Sequence, residues 1–152
     1  MIKLKKTEEI EIMKEGGKRH SFILSELVKK VLPGISTQVL EDLARKLIEE
    51  GGDKPAFLNY TPRGAKRPYP SALCVSVNNE IVHGIPNEDS LILQEGDIVT
   101  LDLGLTHKGL ITDSAITVGV GKISEENRKM LEHGKEALWR GIKEAKAGNH
   151  IG

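Results

Sequence analysis

Apolar positions near the start of the chain recur at steps of three and four: Ile10, Met13, Leu24, Leu27 and Val31, with Gly17 and His20 on the same stripe. That period predicts a long amphipathic helix, which Pro33-Gly34 ends. At its head Thr7 precedes Glu8 and Glu9, a hydroxyl able to cap free amides and two acids suited to the positive end of the helix dipole. Ser36 or Thr37 restarts the period through Val39, Leu40, Leu43, Leu47 and Ile48, and Gly51-Gly52 stops this second helix. From Asp53 to Pro70 the chain is rich in proline, glycine and basic residues, notably Thr61-Pro-Arg-Gly-Ala-Lys-Arg-Pro68, and reads as a surface loop.

Beyond the loop the period becomes two. Leu73-Cys-Val-Ser-Val77, Asn78-Asn79 and Glu80-Ile-Val-His83 predict a hairpin, because asparagines tolerate the positive φ of a tight turn. A second hairpin is predicted from Asp97–Leu105 and Leu110–Val118, turning around His107-Lys108-Gly109. Ser124, Glu125 and Glu126 then open a third helix carrying Leu131, Leu138, Ile142 and Ala145, which ends near Gly148. Helix, helix, strands, helix is the order of an α+β domain with helices on one face of an antiparallel sheet.

Thr7-Glu-Glu-Ile-Glu-Ile-Met-Lys-Glu-Gly-Gly-Lys18 aligns with Ser124-Glu-Glu-Asn-Arg-Lys-Met-Leu-Glu-His-Gly-Lys135 at the cap, both acids, Met, Glu, Gly and Lys. Phe22 then falls opposite Trp139. Two capped, charged helices can look this alike by composition; the other reading is a duplicated fold whose second copy has just begun.

Bulk numbers narrow the function classes. At 152 residues and 38% apolar composition, one domain with a real core is expected. Lysine plus arginine and aspartate plus glutamate both number 22, so no net field attracts nucleic acid or anionic lipid, and neither partner is expected. The single cysteine, Cys74, excludes an internal disulfide framework and fits a reducing compartment. Without a signal-like leader or a membrane-length apolar run, the reading is cytoplasmic.

The strongest chemical signal is Asp97-Ile-Val-Thr-Leu-Asp102-Leu-Gly-Leu-Thr-His-Lys-Gly-Leu-Ile-Thr-Asp113. Asp102 interrupts an apolar strand, where an uncompensated carboxylate is costly to bury. If Lys108-Gly109 make a two-residue turn, Asp102 faces Ala115 and Asp113 lies diagonally on the same face, so both carboxylates reach a shared cation site. An odd-numbered loop would separate them. Hard oxygen ligands suit Mg, Mn, Fe, Co or Zn, against the plain alternative of a solvated hairpin face beside Thr100, Thr112 and Ser114. His83 could exchange protons with a reacting group or be a hydrogen-bonded structural residue. His20, His107, His133 and His150 show no metal-ligand spacing and receive no role. Cys74 reads as a buried apolar thiol.

Tyr69-Pro-Ser-Ala-Leu-Cys-Val-Ser-Val-Asn-Asn-Glu-Ile-Val-His-Gly-Ile-Pro86, then Leu93-Gln-Glu-Gly-Asp-Ile-Val-Thr-Leu-Asp102 and an aspartate eleven residues on, closely resembles type I methionine aminopeptidases; Pro33-Gly-Ile-Ser-Thr fits too. The similarity runs from about Thr7 to Gly152. It implies the pita-bread fold, a pseudo-twofold duplication of which residues 1–152 would be the amino-terminal part, ending early in the second repeat. It further implies two divalent metal ions (Co, Mn, Fe or Zn), with Asp102 holding one and Asp113 bridging both, and His83 contacting substrate and assisting proton transfer. Tyr60, Tyr69 and Cys74 match the pocket for the methionine side chain, with Phe57 nearby. The implied reaction is removal of the N-terminal methionine from nascent peptides, an amide hydrolysis by metal-bound hydroxide. Such enzymes take one more histidine and two glutamates from their second half, so this chain is expected to carry part of the site and to have little activity alone. Thr61–Pro68 also lengthens the connection between Tyr60 and Tyr69. The other class of function is an inactive half-fold that binds a partner, forming a homodimer or pairing with a complementing carboxy-terminal half.

Overall fold

The computed structural model describes residues 3–150. Two helices, α1 (Thr7–Val28) and α2 (Thr37–Glu50), precede four strands, β1 (Lys54–Pro55), β2 (Leu73–Val77), β3 (Ile98–His107) and β4 (Leu110–Gly119), and a third helix, α3 (Glu125–Glu144). All strand pairs are antiparallel, with β3 central: β4 lies along one side, and β1 and β2 share the other. Helix α1 crosses β3 and β4 while α2 covers β2 and β1, so both helices occupy one face of the sheet. Among the described residues no helix is long and apolar enough to cross a membrane.

Alternation sorts the core. Val99, Leu101, Leu103 and Leu105 of β3 and Leu73, Val75 and Val77 of β2 point to the helices and are buried with Ile23, Leu24, Leu27, Leu40, Ala44 and Ile48. The α1 stripe sits slightly rotated from the expected one, on Gly16 and Ile23 as well as His20, Leu24 and Leu27. Gly16 is the point of closest approach, since a Cβ there would lie 3.1 Å from the His107 Cβ. Thr7 is the first helical residue and not the cap; Glu9 reaches back to the Lys6 amide at 2.7 Å. Ser36 and Ser124 do cap α2 and α3, accepting from the amides of Val39 and Asn127.

The β3–β4 turn has the two-residue form, with Lys108 at φ 47° and Gly109 at φ 82°, the positive pair that suits the strands' twist. Thr106 therefore pairs with Ile111 and Asp102 with Ala115, the predicted register. The other predicted hairpin does not form. Residues 80–83 are not a strand, and β2 pairs with β3, Leu73 opposite Leu103 through Val77 opposite Val99. Only Asn78 of the asparagine pair takes positive φ (53°), and it binds the far strand: its amide donates to the Ile98 carbonyl and its side-chain oxygen accepts from the Ile98 amide. The Asp53–Pro70 stretch is also more than a loop, because Lys54 and Pro55 pair with Thr106 and Leu105.

Two buried acids lock helices to sheet. Glu41, fully buried on α2, accepts from the backbone amides of Ala72 and Leu73 at 2.8 and 2.9 Å and from Arg45 Nε at 2.5 Å. Arg45 also donates to the Pro70 carbonyl. The carboxylate thus leads into β2 by satisfying the amides of Ala72 and of Leu73, the strand's first residue. Asp53 accepts from Arg19 of α1 and pairs with His107 Nδ1 at 2.7 Å, joining α1, the start of β1 and the end of β3. Helix α3 has no such anchorage: it buries no residue, and Met130, Leu138, Trp139 and Ile142 are exposed.

Replacing Glu41 by Ala strands two buried amides and a guanidinium, so Glu41→Ala is expected to destabilise the domain by about 3 kcal/mol or more, and Glu41→Gln by less, in urea denaturation. A loss below about 1 kcal/mol for Glu41→Ala would contradict this anchoring role.

Candidate metal centre and substrate pocket

The sheet face turned away from α1 and α2 carries Cys74 and Ser76 of β2, Thr100, Asp102, Gly104 and Thr106 of β3, and Ile111, Asp113, Ala115 and Thr117 of β4. Asp102 lies between Cys74 and Ala115, while Asp113 is opposite Gly104, one diagonal step away. The two carboxylates stand close enough to share a hydrogen bond. Burial in a half-covered position pushes the Asp102 carboxyl up from its ordinary range, the Asp113 charge adds to that, and His83 opposes it. Asp113 itself is exposed.

His83 reaches this face through a constrained backbone. It adopts φ 63°, a conformation uncommon for a residue with a side chain. Its neighbour Gly84 is pressed on β2: a Cβ there would sit 2.1 Å from the Val75 carbonyl oxygen. Gly84 accepts from the Val75 amide at 3.1 Å and the Tyr69 hydroxyl at 3.0 Å, and donates to Ser76 Oγ at 3.1 Å. Those contacts hold the residue-83 turn against the edge of β2, near enough for the His83 charge to be felt at Asp102.

An apolar wall stands next to the acids. Gly104 leaves room for the Phe57 ring, whose nearest atom would lie 2.5 Å from an added Cβ. Phe57 meets Tyr69 edge to face, ring centroids 6.5 Å apart and planes at 89°. Tyr69 in turn touches Cys74, and burial followed by that neighbour pushes its hydroxyl pKa upward. Of the three pocket candidates, Tyr69 and Cys74 lie on this wall. The Tyr60 side chain is 61% exposed, although its backbone pairs with Tyr69. Phe57 takes the wall position, and Gly104 within an apolar strand was its sequence signal, a glycine where something approaches closely.

His20, given no role from sequence, is buried on the opposite face and its Nδ1 lies 3.1 Å from Thr112 Oγ1, bracing β4 directly behind Asp113. Burial pushes its pKa down. His107 belongs to the Asp53 network. Neither joins the acid pair, and no three His, Cys, Asp or Glu side chains gather into a metal-holding group among the described residues. Asp102 and Asp113 nevertheless fit one side of a hard-cation site, because their mutual repulsion and the partial burial of Asp102 are relieved by a positive ion between them.

An antiparallel sheet with helices on one face and paired acids on the other defines a class, half of a pita-bread fold, and the comparisons agree. The model of metallopeptidase family M24 matches residues 11–152, and the chain belongs to that family. The methionine aminopeptidase of Aquifex aeolicus is 44% identical over 151 residues, and methionine aminopeptidase 1 of Bacillus subtilis is 40% identical; each alignment covers 99% of this chain and 58% of the relative. This chain therefore spans somewhat over half the length of those relatives. A crystal structure of the Thermotoga maritima methionine aminopeptidase superposes with a TM-score of 0.86 at 37% identity, covering 96% of this chain and 56% of that one. The Xaa-Pro dipeptidase of Bacillus anthracis, at 23% identity and TM-score 0.74, shares the fold.

Burial pushes the Cys74 thiol from 9.0 up to about 11, so at pH 8 its thiolate is roughly a hundredfold scarcer than in the unfolded chain. Because the folded state holds this proton more tightly, its contribution to stability is intact below pH 9.0 and fades as pH rises through about 11. Iodoacetamide should modify chelator-treated native protein far more slowly than urea-unfolded protein at pH 8, the gap closing toward pH 11; equal rates at pH 8 would contradict it.

Proposed function

We propose that this chain supplies the amino-terminal part of a methionine aminopeptidase active site, which removes the N-terminal methionine of nascent peptides in the cytoplasm. The observation that carries the proposal is the union of Asp102, Asp113, His83 and the Phe57–Tyr69–Cys74 wall on one sheet face. Similarity to enzymes bearing that name supports it.

In this reading Asp102 and Asp113 hold one side of a pair of divalent ions such as Co, Mn, Fe or Zn. When bound, the ions polarise the scissile carbonyl and activate water. The two carboxylates also draw in the substrate's protonated amino terminus by charge. His83, fixed beside Asp102 by its backbone, donates to the peptide at the scissile amide and moves a proton there. Phe57, Tyr69 and Cys74 offer an aromatic and sulfur-lined surface suited to a thioether side chain. Residues 1–152 would constitute the first structural repeat and the opening helix of the second, α3 being the counterpart of α1, with a complementing carboxy-terminal segment providing the remaining ligands.

The test is methionine release from a Met-Ala-Ser peptide with manganese present. The 152-residue chain alone is expected to turn over little, the chain with its complementing segment robustly, and Asp113→Asn in that complex at least a hundredfold less. Full activity of Asp113→Asn would overturn the assignment.

A second reading, a catalytically silent module that self-associates, is favoured by α3, whose Met130, Leu138, Trp139 and Ile142 stand uncovered. Sedimentation at high concentration with and without manganese should reveal a dimer; a monomer in both conditions would dispose of this reading.

A further inference from the structure

The eight residues Thr61-Pro-Arg-Gly-Ala-Lys-Arg-Pro68 contain three cations and no anion, in a chain whose charges balance only when these three are counted. Their position gives this meaning. At its base the loop is closed by backbone hydrogen bonds, Asn59 amide to Tyr69 carbonyl and Tyr69 amide to Tyr60 carbonyl, both 2.9 Å. Tyr69 is a wall of the candidate pocket, so the loop rises from the pocket's rim. On its far side Arg67 makes a two-pronged ion pair with Glu88, at 2.5 and 2.6 Å, tying the loop to the segment that follows His83. The loop thus bridges the aromatic wall and the histidine segment.

Its shape is set as well. The Ala65 amide donates to the Pro62 carbonyl at 3.0 Å, and Gly64 takes φ 90°, the third position of a type II turn. Arg63 therefore sits at the turn's tip, with Lys66 just past it. Arg67 is neutralised by Glu88, but Arg63 and Lys66 are exposed and have no carboxylate within ion-pair distance among the described residues. Two unspent cations on a preshaped loop lose little conformational freedom when they meet an anion.

We propose that this loop is a specificity subsite, in which Arg63 and Lys66 engage acidic side chains downstream of the substrate's amino terminus. The inference rests on the peptidase reading. Charge then orients the peptide at both ends: its ammonium goes to Asp102 and Asp113, and the chain leaving the pocket crosses a positive rim. Exposed ion pairs are individually weak, so the preference is about three- to tenfold at low ionic strength and fades with added salt.

The test uses the ¹⁵N-labelled full chain in low salt with manganese, titrated with Met-Ala-Ser-Glu-Glu-Gly, its Gln-Gln and Lys-Lys counterparts, the N-acetylated Glu-Glu peptide and a short RNA oligonucleotide. Expected are amide shifts at Arg63 to Arg67 and at Cys74 and Gly104, with affinity ordered Glu-Glu, Gln-Gln, Lys-Lys. Arg63→Ser combined with Lys66→Ser should erase that order, and Arg63→Glu with Lys66→Glu should reverse it. Pocket shifts with equal affinities for all three peptides would overturn the subsite and leave the peptidase reading standing. Loop shifts alone, unaffected by acetylation, would overturn both, as would no shift at millimolar peptide. Tighter loop binding by RNA than by the Glu-Glu peptide would reassign the cations to nucleic acid.

Discussion

A β-strand shows alternate side chains to opposite faces, so the number of residues in a hairpin turn decides what shares a face. In this protein that parity is set at Lys108-Gly109, where a two-residue turn puts Asp102 and Asp113 together and leaves Leu101, Leu103 and Leu105 for the core. One more residue would send one carboxylate beneath α1, against the buried helix stripe. The candidate cation site, the aromatic wall over Gly104 and the core on the reverse face all inherit this single count.

Holding that sheet rigid falls to charges in unexpected places. Glu41 occupies a fully buried helix position because the amides of Ala72 and Leu73, at the entry to β2, need an acceptor there, and a hydrocarbon would leave them unpaired. Asp53 performs the matching service at the other end, where Arg19 and His107 converge on it. The geometry of the open face depends on these anchors, since a shift of β2 against β3 would carry Cys74 away from Asp102.

What the sequence made legible was whatever local chemistry determines. Helix starts with Ser36 and Ser124, the stop of α2 at Gly51 and the parity of the Lys108-Gly109 turn all follow from neighbouring residues, whereas α1 ends at Val28, short of Val31 and of the Pro33-Gly34 break expected to end it. Long-range pairing was not legible. Glu80-Ile-Val-His83 alternates like a strand, yet Asn78 bonds to Ile98 and Gly84 presses on Val75, contacts between segments with no sequence signature of partnership. Nothing in the sequence singled out Glu41 or Asp53, for the same reason, and two-residue β1 is too short to carry a period. Of the site, the aspartate pair came from the turn, whereas Phe57 over Gly104 and the outward placement of Tyr60 depend on how a long loop folds back.

Helix α3 buries nothing, so its order comes from within: the Ser124 cap, and Arg128 and Arg140 paired with glutamates three and four residues away. Such devices add tenths of a kcal/mol each, whereas most of a helix's stability in a protein comes from packing its apolar face. Its amides therefore exchange with solvent hydrogen through local fraying, at rates that do not report on the rest of the domain. The molecule holds two levels of order at once, a sheet-and-helix body with a shared core and a helix that touches β4 near its start and leaves its apolar side open.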